Sequence, residues 1–250
     1  MTLPMDAATL FYLMGAVAIG CYAQAVTGFA FGLIFVGVVS VAQLIDLKTA
    51  TLIVSILAVI NTVFALKKAE RHTDWRLVGA TLILSIPMVW VGYWLLDFLS
   101  QDHVSTLRPL LGGVIIASSL VLIFPPKPGK AVSSLPVFSL FGMIAGLLGG
   151  LFSTSGPPLI FQFYRQNLPI AVIRDCLLAI FAVSAATRTG LAIALDGLPD
   201  MVWIISLLAF PVTMGATWLG KHYPPKVSDT TMRRIAAGLL ILTASNLIVT

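Results

Sequence analysis

The sequence predicts an all-α polytopic membrane protein with two inverted-topology repeats, in which the first and fifth of about eight hydrophobic segments are broken into hairpins. Three observations carry this prediction: the composition, the apolar runs and the motifs that recur between the halves. Of the 250 residues, 58% are hydrophobic and 10% are charged, whereas a soluble domain is about 25% charged. The mean hydropathy is +1.00. A soluble enzyme, a disordered chain and a nucleic-acid binder are therefore excluded as classes.

Eight apolar runs of 16 to 39 residues fill most of the chain, and about 20 residues are enough to cross a bilayer as a helix. They comprise residues 7–45, 47–66, 77–96, 107–124, 135–164, 173–195, 201–220 and 235–250. Most have the length of a single span, but the first and the fifth are too long for one straight helix. No basic region precedes the first run, so we expect it to stay in the membrane and not to be removed as a signal peptide.

Each of the two long runs is interrupted near its middle by residues that break helices. The first is interrupted at Gln24–Gly32 and the fifth at Ser153–Pro158. Glycine breaks a helix through its backbone freedom, and proline through its missing N–H and a steric clash. Because unpaired backbone survives in a membrane only inside protein or beside a polar cavity, we expect both runs to form hairpins around a polar site.

Motifs recur in the same order in the two halves of the chain. The pair Pro87 and Trp94, for example, recurs at the same spacing as Pro211 and Trp218. Recurrence at about half the chain length indicates one duplicated unit. We therefore expect two membrane repeats, residues 1–125 and 126–250, which together form one integral membrane domain.

The charges of the loops predict opposite orientations for the two halves. The loop at residues 67–76 carries four lysines or arginines, whereas the matching loop of the second half, Asp196–Asp200, carries none. Conversely, residues 221–234 are basic and their first-half counterpart, residues 97–104, has no lysine or arginine. Because basic loops stay on the cytoplasmic side, the two halves are expected upside down relative to each other, with both termini outside.

The two breaks form the first candidate site. A half-helix that begins after Gly28 or Gly156 presents unpaired N–H groups and the positive end of its dipole, which suit an anion. Inverted symmetry would bring these two ends toward one point near the middle of the membrane. The alternative is that glycine and proline only allow close helix packing here. Hydroxyl donors lie beside the breaks at Thr27, Ser153, Thr154 and Ser155.

Arg188 is the second candidate, because it is a charge well inside the run 173–195. A charge at that depth is costly and is usually functional or paired. No Asp or Glu lies within four residues of it, so we expect a substrate oxyanion as its partner, held by the guanidinium fork. The alternative is that Arg188 reaches the surface or caps backbone carbonyls.

Three amide side chains complete the candidate set. Asn61 lies near the repeat-equivalent position of Arg188, and Gln24 and Gln162 flank the two breaks. Each could contact the anion, or form an interhelical hydrogen bond instead.

Other chemistry has little support in the sequence. The three histidines lie in loops and the acidic residues in loops or at span ends, so no metal site, cofactor or proton relay is expected. Ser155-Gly156 resembles part of a serine-hydrolase motif, but without a histidine in any span the serine would be inert, and no enzyme activity is expected. A non-transport membrane assembly protein is the alternative to a transporter, although it would not require mirrored breaks or a buried arginine.

These residues resemble the sulfite exporter TauE/SafE family of bacterial permeases. The resemblance rests on Gly28–Gly32, on the string Gly146–Phe152 followed by Gly156–Leu159, and on the duplicated layout. It implies a multi-pass transporter of small, sulfur-containing anions, such as sulfite or organosulfonates, in the bacterial cytoplasmic membrane. We expect export by alternating access. Other carboxylate or inorganic anions stay open as substrates.

The expected partners follow from this interpretation. They are the anion substrate and the lipid bilayer, and a homo-oligomer stays open. Nucleic acid is not expected as a partner, since basic cytoplasmic loops explain the net charge of +5. Export of an anion from a negative-inside cell is downhill by about 2.3 kcal/mol per charge per 100 mV.

Overall fold

The protein is helical throughout the part of the chain that the structure describes. This structure, a computed structural model, describes residues 5–27, 31–66, 72–102, 104–124, 126, 129, 131–223, 237–238, 240–242 and 244–245. Within these ranges the helices are α1 (Ala7–Thr27), α2 (Phe31–Val41), α3 (Leu47–Leu66), α4 (Trp75–Asp102), α5 (Val104–Ile123), α6 (Leu135–Phe152), α7 (Gly156–Tyr164), α8 (Ile170–Leu195) and α9 (Asp200–His222). The predicted all-α class is confirmed.

The outer surface of the bundle is apolar. Five of the described helices, α1, α4, α6, α8 and α9, are long and apolar enough to cross a membrane. Phe11 and Leu207 expose 76% and 75% of their surface, which suits contact with lipid tails and would favour aggregation in water. The chain is a multi-pass membrane protein. The eight-segment count and the inverted repeats stay predictions, and most of the last run, 235–250, lies outside the described residues.

The fifth apolar run breaks where the sequence predicts. α6 ends at Phe152, and Ser153 adopts a left-handed φ of 54° while its N–H donates to the Gly149 carbonyl at 3.0 Å. α7 begins at Gly156 and ends at Tyr164, a length of nine residues. At 1.5 Å per residue α7 is about 14 Å long, too short to cross a hydrocarbon core of about 30 Å. A long helix followed by a short one favours a re-entrant hairpin over two complete spans.

The first run has the same order of a long and a short helix. The 21-residue α1 ends at Thr27, and the 11-residue α2 begins at Phe31. The predicted site residue Gly28 and the side chain of Thr27 lie outside the described part of the chain.

The closest helix pair joins α4 and α6 along a row of glycines. Gly142, Gly146 and Gly150 lie four residues apart on α6, and a Cβ on any of them would overlap the backbone of α4 at the carbonyl oxygens of residues 81, 85 and 89. Small residues at this spacing let membrane helices approach closely. α3 packs against α8, and α1 packs against α9. These contacts hold the α6–α7 break beside the middle of α3 and α8.

Candidate functional site

A polar cavity lies between the α6–α7 break, α3 and α8. Its volume is about 60 Å³. Its wall includes Gln24, one cation, Arg188, and Gly156 at the start of α7. Six hydroxyl side chains also line it, those of Ser55, Thr62, Ser153, Thr154, Ser155 and Ser184. A polar cavity at this position in a membrane protein can hold a small hydrophilic solute.

Arg188 is the most deeply buried charge of this site, with 1% of its surface exposed. Its Nε donates to the Gly150 carbonyl at 2.9 Å. Its Nη1 donates to the Thr51 carbonyl at 3.0 Å and to Ser55 Oγ at 2.9 Å, and its Nη2 donates to Thr51 Oγ1 at 2.7 Å. The alternative that Arg188 caps backbone carbonyls is thus correct for residues 51 and 150.

The charge of Arg188 nevertheless has no acidic partner among the residues that the structure describes. All four acceptors are neutral groups, and among the described residues no carboxylate forms an ion pair with the guanidinium. Of its five N–H donors, one on Nη2 is left after these bonds. The Tyr93 ring lies 5.4 Å from Arg188 Cζ, a cation–π contact that offsets part of the desolvation. The cavity is therefore electropositive, as an anion site requires.

The break between α6 and α7 contributes hydroxyls and a helix N-terminus. Ser153 Oγ donates to the Thr51 carbonyl at 2.7 Å and lies 2.7 Å from Ser55 Oγ. The side chains of Thr154 and Ser155 are buried. α7 directs its positive end at the cavity, but two of its first residues, 157 and 158, are prolines without an N–H. Hydroxyls and Arg188 consequently supply most of the donors.

The structure places the three predicted amide residues differently with respect to two cavities. Gln24 lines the cavity described above, and its Oε1 accepts from Asn61 Nδ2 at 3.3 Å. Asn61 lines an adjoining second cavity of about 170 Å³. Gln162 is buried but lines neither cavity, and within the described ranges its side-chain atoms have no hydrogen-bond partner. The structure thus brings Gln24, but not Gln162, to Arg188.

Sequence reasoning missed the two residues that hold Arg188. Thr51 and Ser55 lie one turn apart on α3, and the Ser55 hydroxyl also donates to the Thr51 carbonyl at 2.9 Å. The available signal was two hydroxyl residues on the same face of an apolar run. That signal is weak, because serine and threonine often bond to their own helix backbone in membranes.

An ion-pair cluster is connected to the site through Tyr93, whose ring contacts Arg188. Lys48 Nζ lies 2.6 Å from Asp97 Oδ1 and 2.7 Å from Asp196 Oδ2. The Tyr93 hydroxyl donates to Asp196 Oδ2 at 2.7 Å. Burial tends to raise the pKa of Asp196, but the hydrogen bonds from Lys48 and Tyr93 outweigh it and lower that pKa. The cluster ties α3, α4 and the end of α8 together on the far side of Tyr93 from the cavity.

Membrane-spanning helices that surround a small electropositive cavity are typical of a membrane protein that binds a solute. The sequence model of the family described as "Sulfite exporter TauE/SafE" matches residues 12–247. A curated relative from Cupriavidus necator, named "Probable sulfite/organosulfonate exporter TauE", is 39% identical over 240 residues, which cover 95% of this chain and 94% of the relative. The chain belongs to the sulfite exporter TauE/SafE family. No solved structure matches it.

Membership of this family distinguishes between the classes of protein that the sequence left open. The family and the C. necator relative are transporters and not enzymes. The chain is accordingly a membrane transporter, and the alternative of a non-transport assembly protein is set aside.

Proposed function

We propose that the chain exports small sulfur oxyanions, such as sulfite or organosulfonates, across the bacterial cytoplasmic membrane by alternating access. The observation that carries this proposal is Arg188, a buried cation in a polar cavity with no carboxylate partner among the described residues. An oxyanion in the cavity would neutralise this charge and accept hydrogen bonds from the surrounding hydroxyls. The name of the C. necator relative supports sulfite or an organosulfonate as that anion.

The size of the cavity favours a small anion. Its volume of about 60 Å³ holds about four to six water-sized groups, since one water needs about 10–15 Å³ of such space. Sulfite, with one sulfur and three oxygens, matches this size. An organosulfonate would place its organic part against Phe181, which lines both cavities together with Gln24 and Thr62.

Alternating access is supported by a difference between the two directions in which an anion could leave Arg188. Toward Asp196, the Tyr93 ring covers Arg188, and the Tyr93 hydroxyl bonds to the Asp196 carboxylate that pairs with Lys48. In the other direction, the second cavity leaves about 170 Å³ open. In the proposed cycle the Lys48 pairs break to release the anion while the second cavity closes. α4 packs on α6, and α9 packs on α1. These two contacts are equivalent if residues 1–125 and 126–250 are repeats, so they support a cycle in which the two repeats exchange roles.

Sulfite efflux from proteoliposomes tests the proposed function. Liposomes that contain the protein and radiolabelled sulfite are expected to lose the label faster than protein-free liposomes. An interior-negative potential should accelerate the loss, because the anion then moves downhill. Methanesulfonate loaded together with the labelled sulfite should compete with it, and acetate loaded in the same way should compete weakly. Efflux no faster than from protein-free liposomes would contradict the proposal, and equal competition by acetate would favour a carboxylate transporter instead.

The proposal also includes both termini on the outer side of the membrane. A membrane-impermeant maleimide is expected to label Thr2→Cys and Val249→Cys in intact cells, but not Arg76→Cys, which tests the predicted cytoplasmic loop. The native Cys21 and Cys176 are both fully buried, so the background should be low. Labelling of only one terminus would contradict the inverted arrangement.

A further inference from the structure

The second cavity lies on a path that follows α8. Arg174 lines this cavity near the start of α8, Phe181 lines both cavities, and Arg188 lines the first. At 1.5 Å per residue, Arg174 and Arg188 are about 21 Å apart along the helix. Arg174 is exposed. The second cavity therefore lies between the exposed start of α8 and the Arg188 site.

Two cations line this cavity from different helices. Arg174 belongs to the start of α8, and Lys221 to the last turn of α9. None of the described residues that line the cavity is acidic. A cleft lined by one sign of charge between low-dielectric walls focuses the field and raises the local concentration of the opposite ion. The lining thus favours an anion over a cation or a neutral solute.

Two buried side chains in the same wall have a polar atom without a hydrogen-bond partner among the described residues. Thr217 and Asn61 expose 8% and 6% of their surface. Within the described part of the chain, Thr217 Oγ1 and Asn61 Oδ1 accept or donate no hydrogen bond. An unsatisfied buried polar group is costly, so a solute or its hydration water in the cavity would stabilise both.

We propose that the second cavity is a separate anion site, in which Arg174 and Lys221 hold a hydrated oxyanion before it passes to Arg188. The inference rests on the proposed function, because the anion is the one that Arg188 takes. At the opposite end of the path, Lys48 faces two carboxylates, Asp97 and Asp196. This surplus of negative charge disfavours an anion there, so the electrostatics promote loading from the Arg174 end and oppose return from the other end.

The test measures the sulfite flux against sulfite concentration in right-side-out and in inverted membrane vesicles. For the double variant Arg174→Gln/Lys221→Gln, we expect KM to rise about ten-fold in one vesicle orientation, with kcat retained. The charge-conserving variant Arg174→Lys/Lys221→Arg should keep KM near that of the wild type. Higher ionic strength should raise KM of the wild type and leave KM of the glutamine variant unchanged.

A matched control and three outcomes decide the proposal. Arg76→Gln removes an exposed charge that lines neither cavity, and it should leave KM unchanged. For the glutamine double variant, KM within about two-fold of the wild type in both orientations, or a fall in kcat alone, would overturn the second site while leaving the proposed function intact. Absence of flux in the wild type would overturn both.

Discussion

Replacing Arg188 by glutamine is expected to abolish sulfite efflux while the protein still folds and inserts. Glutamine can still donate a hydrogen bond toward the Gly150 or Thr51 carbonyl, but it carries no charge for the anion. Loss of one partner of a buried charged pair costs about 2–5 kcal/mol, and about 1.4 kcal/mol corresponds to a ten-fold change. We therefore expect efflux to fall by about 30-fold or more.

Further variants separate the charge of Arg188 from its structural bonds. Arg188→Lys keeps the charge but not the planar fork, so it should retain partial efflux. Arg188→Ala removes the donor to the Gly150 carbonyl and one of the three donors to the Thr51 carbonyl, so it should lose both efflux and stability. Arg76→Gln is the control for an exposed arginine. Efflux by Arg188→Gln within about two-fold of the wild type would remove Arg188 from the anion site.

Replacing Gly146 by valine is expected to prevent the normal packing of α4 on α6. A Cβ at this position would overlap the Ser85 carbonyl of α4, and backbone cannot yield as a flexible side chain can. Overpacking of a close interface costs about 3 kcal/mol or more. This corresponds to a fall in Tm of about 10 °C for a chain of this size. The measurement is thermal unfolding of the purified protein in detergent.

Gly79→Val is the matched control for this substitution. Gly79 lies on α4, and a Cβ there would meet nothing within 4 Å. Its valine variant should therefore keep Tm within a few degrees of the wild type. Equal Tm values for the two valine variants would contradict the close α4–α6 contact.

The sequence predicts most strongly those features that are local. Apolar runs predict the helices, and the break at Ser153–Pro158 follows from its own glycine and prolines. Arg188 stands out because a single charge in an apolar run has few structural explanations. The first break has the same local signal, but Gly28 lies outside the described residues, so its role stays a prediction.

The features missed from the sequence depend on distant contacts. Thr51 meets Arg188 across 137 positions of the chain, and no local pattern encodes that pairing. Three charged residues lie near span ends, namely Lys48, Asp97 and Asp196, and in the sequence they serve only to predict the topology. In the structure their ion pairs join three helices. Gln162 flanks a break, but α7 directs it into a buried position that lines neither cavity.

Binding of sulfite to the purified protein, measured by thermal unfolding, tests the central claim most directly. A ligand at 100 times its Kd stabilises the folded state by about 2.7 kcal/mol, which raises Tm by about 5–11 °C in a chain of this size. We predict a saturable rise of this order for the wild type and none for Arg188→Gln. An equal rise in both proteins, or none in the wild type, would contradict an anion site at Arg188.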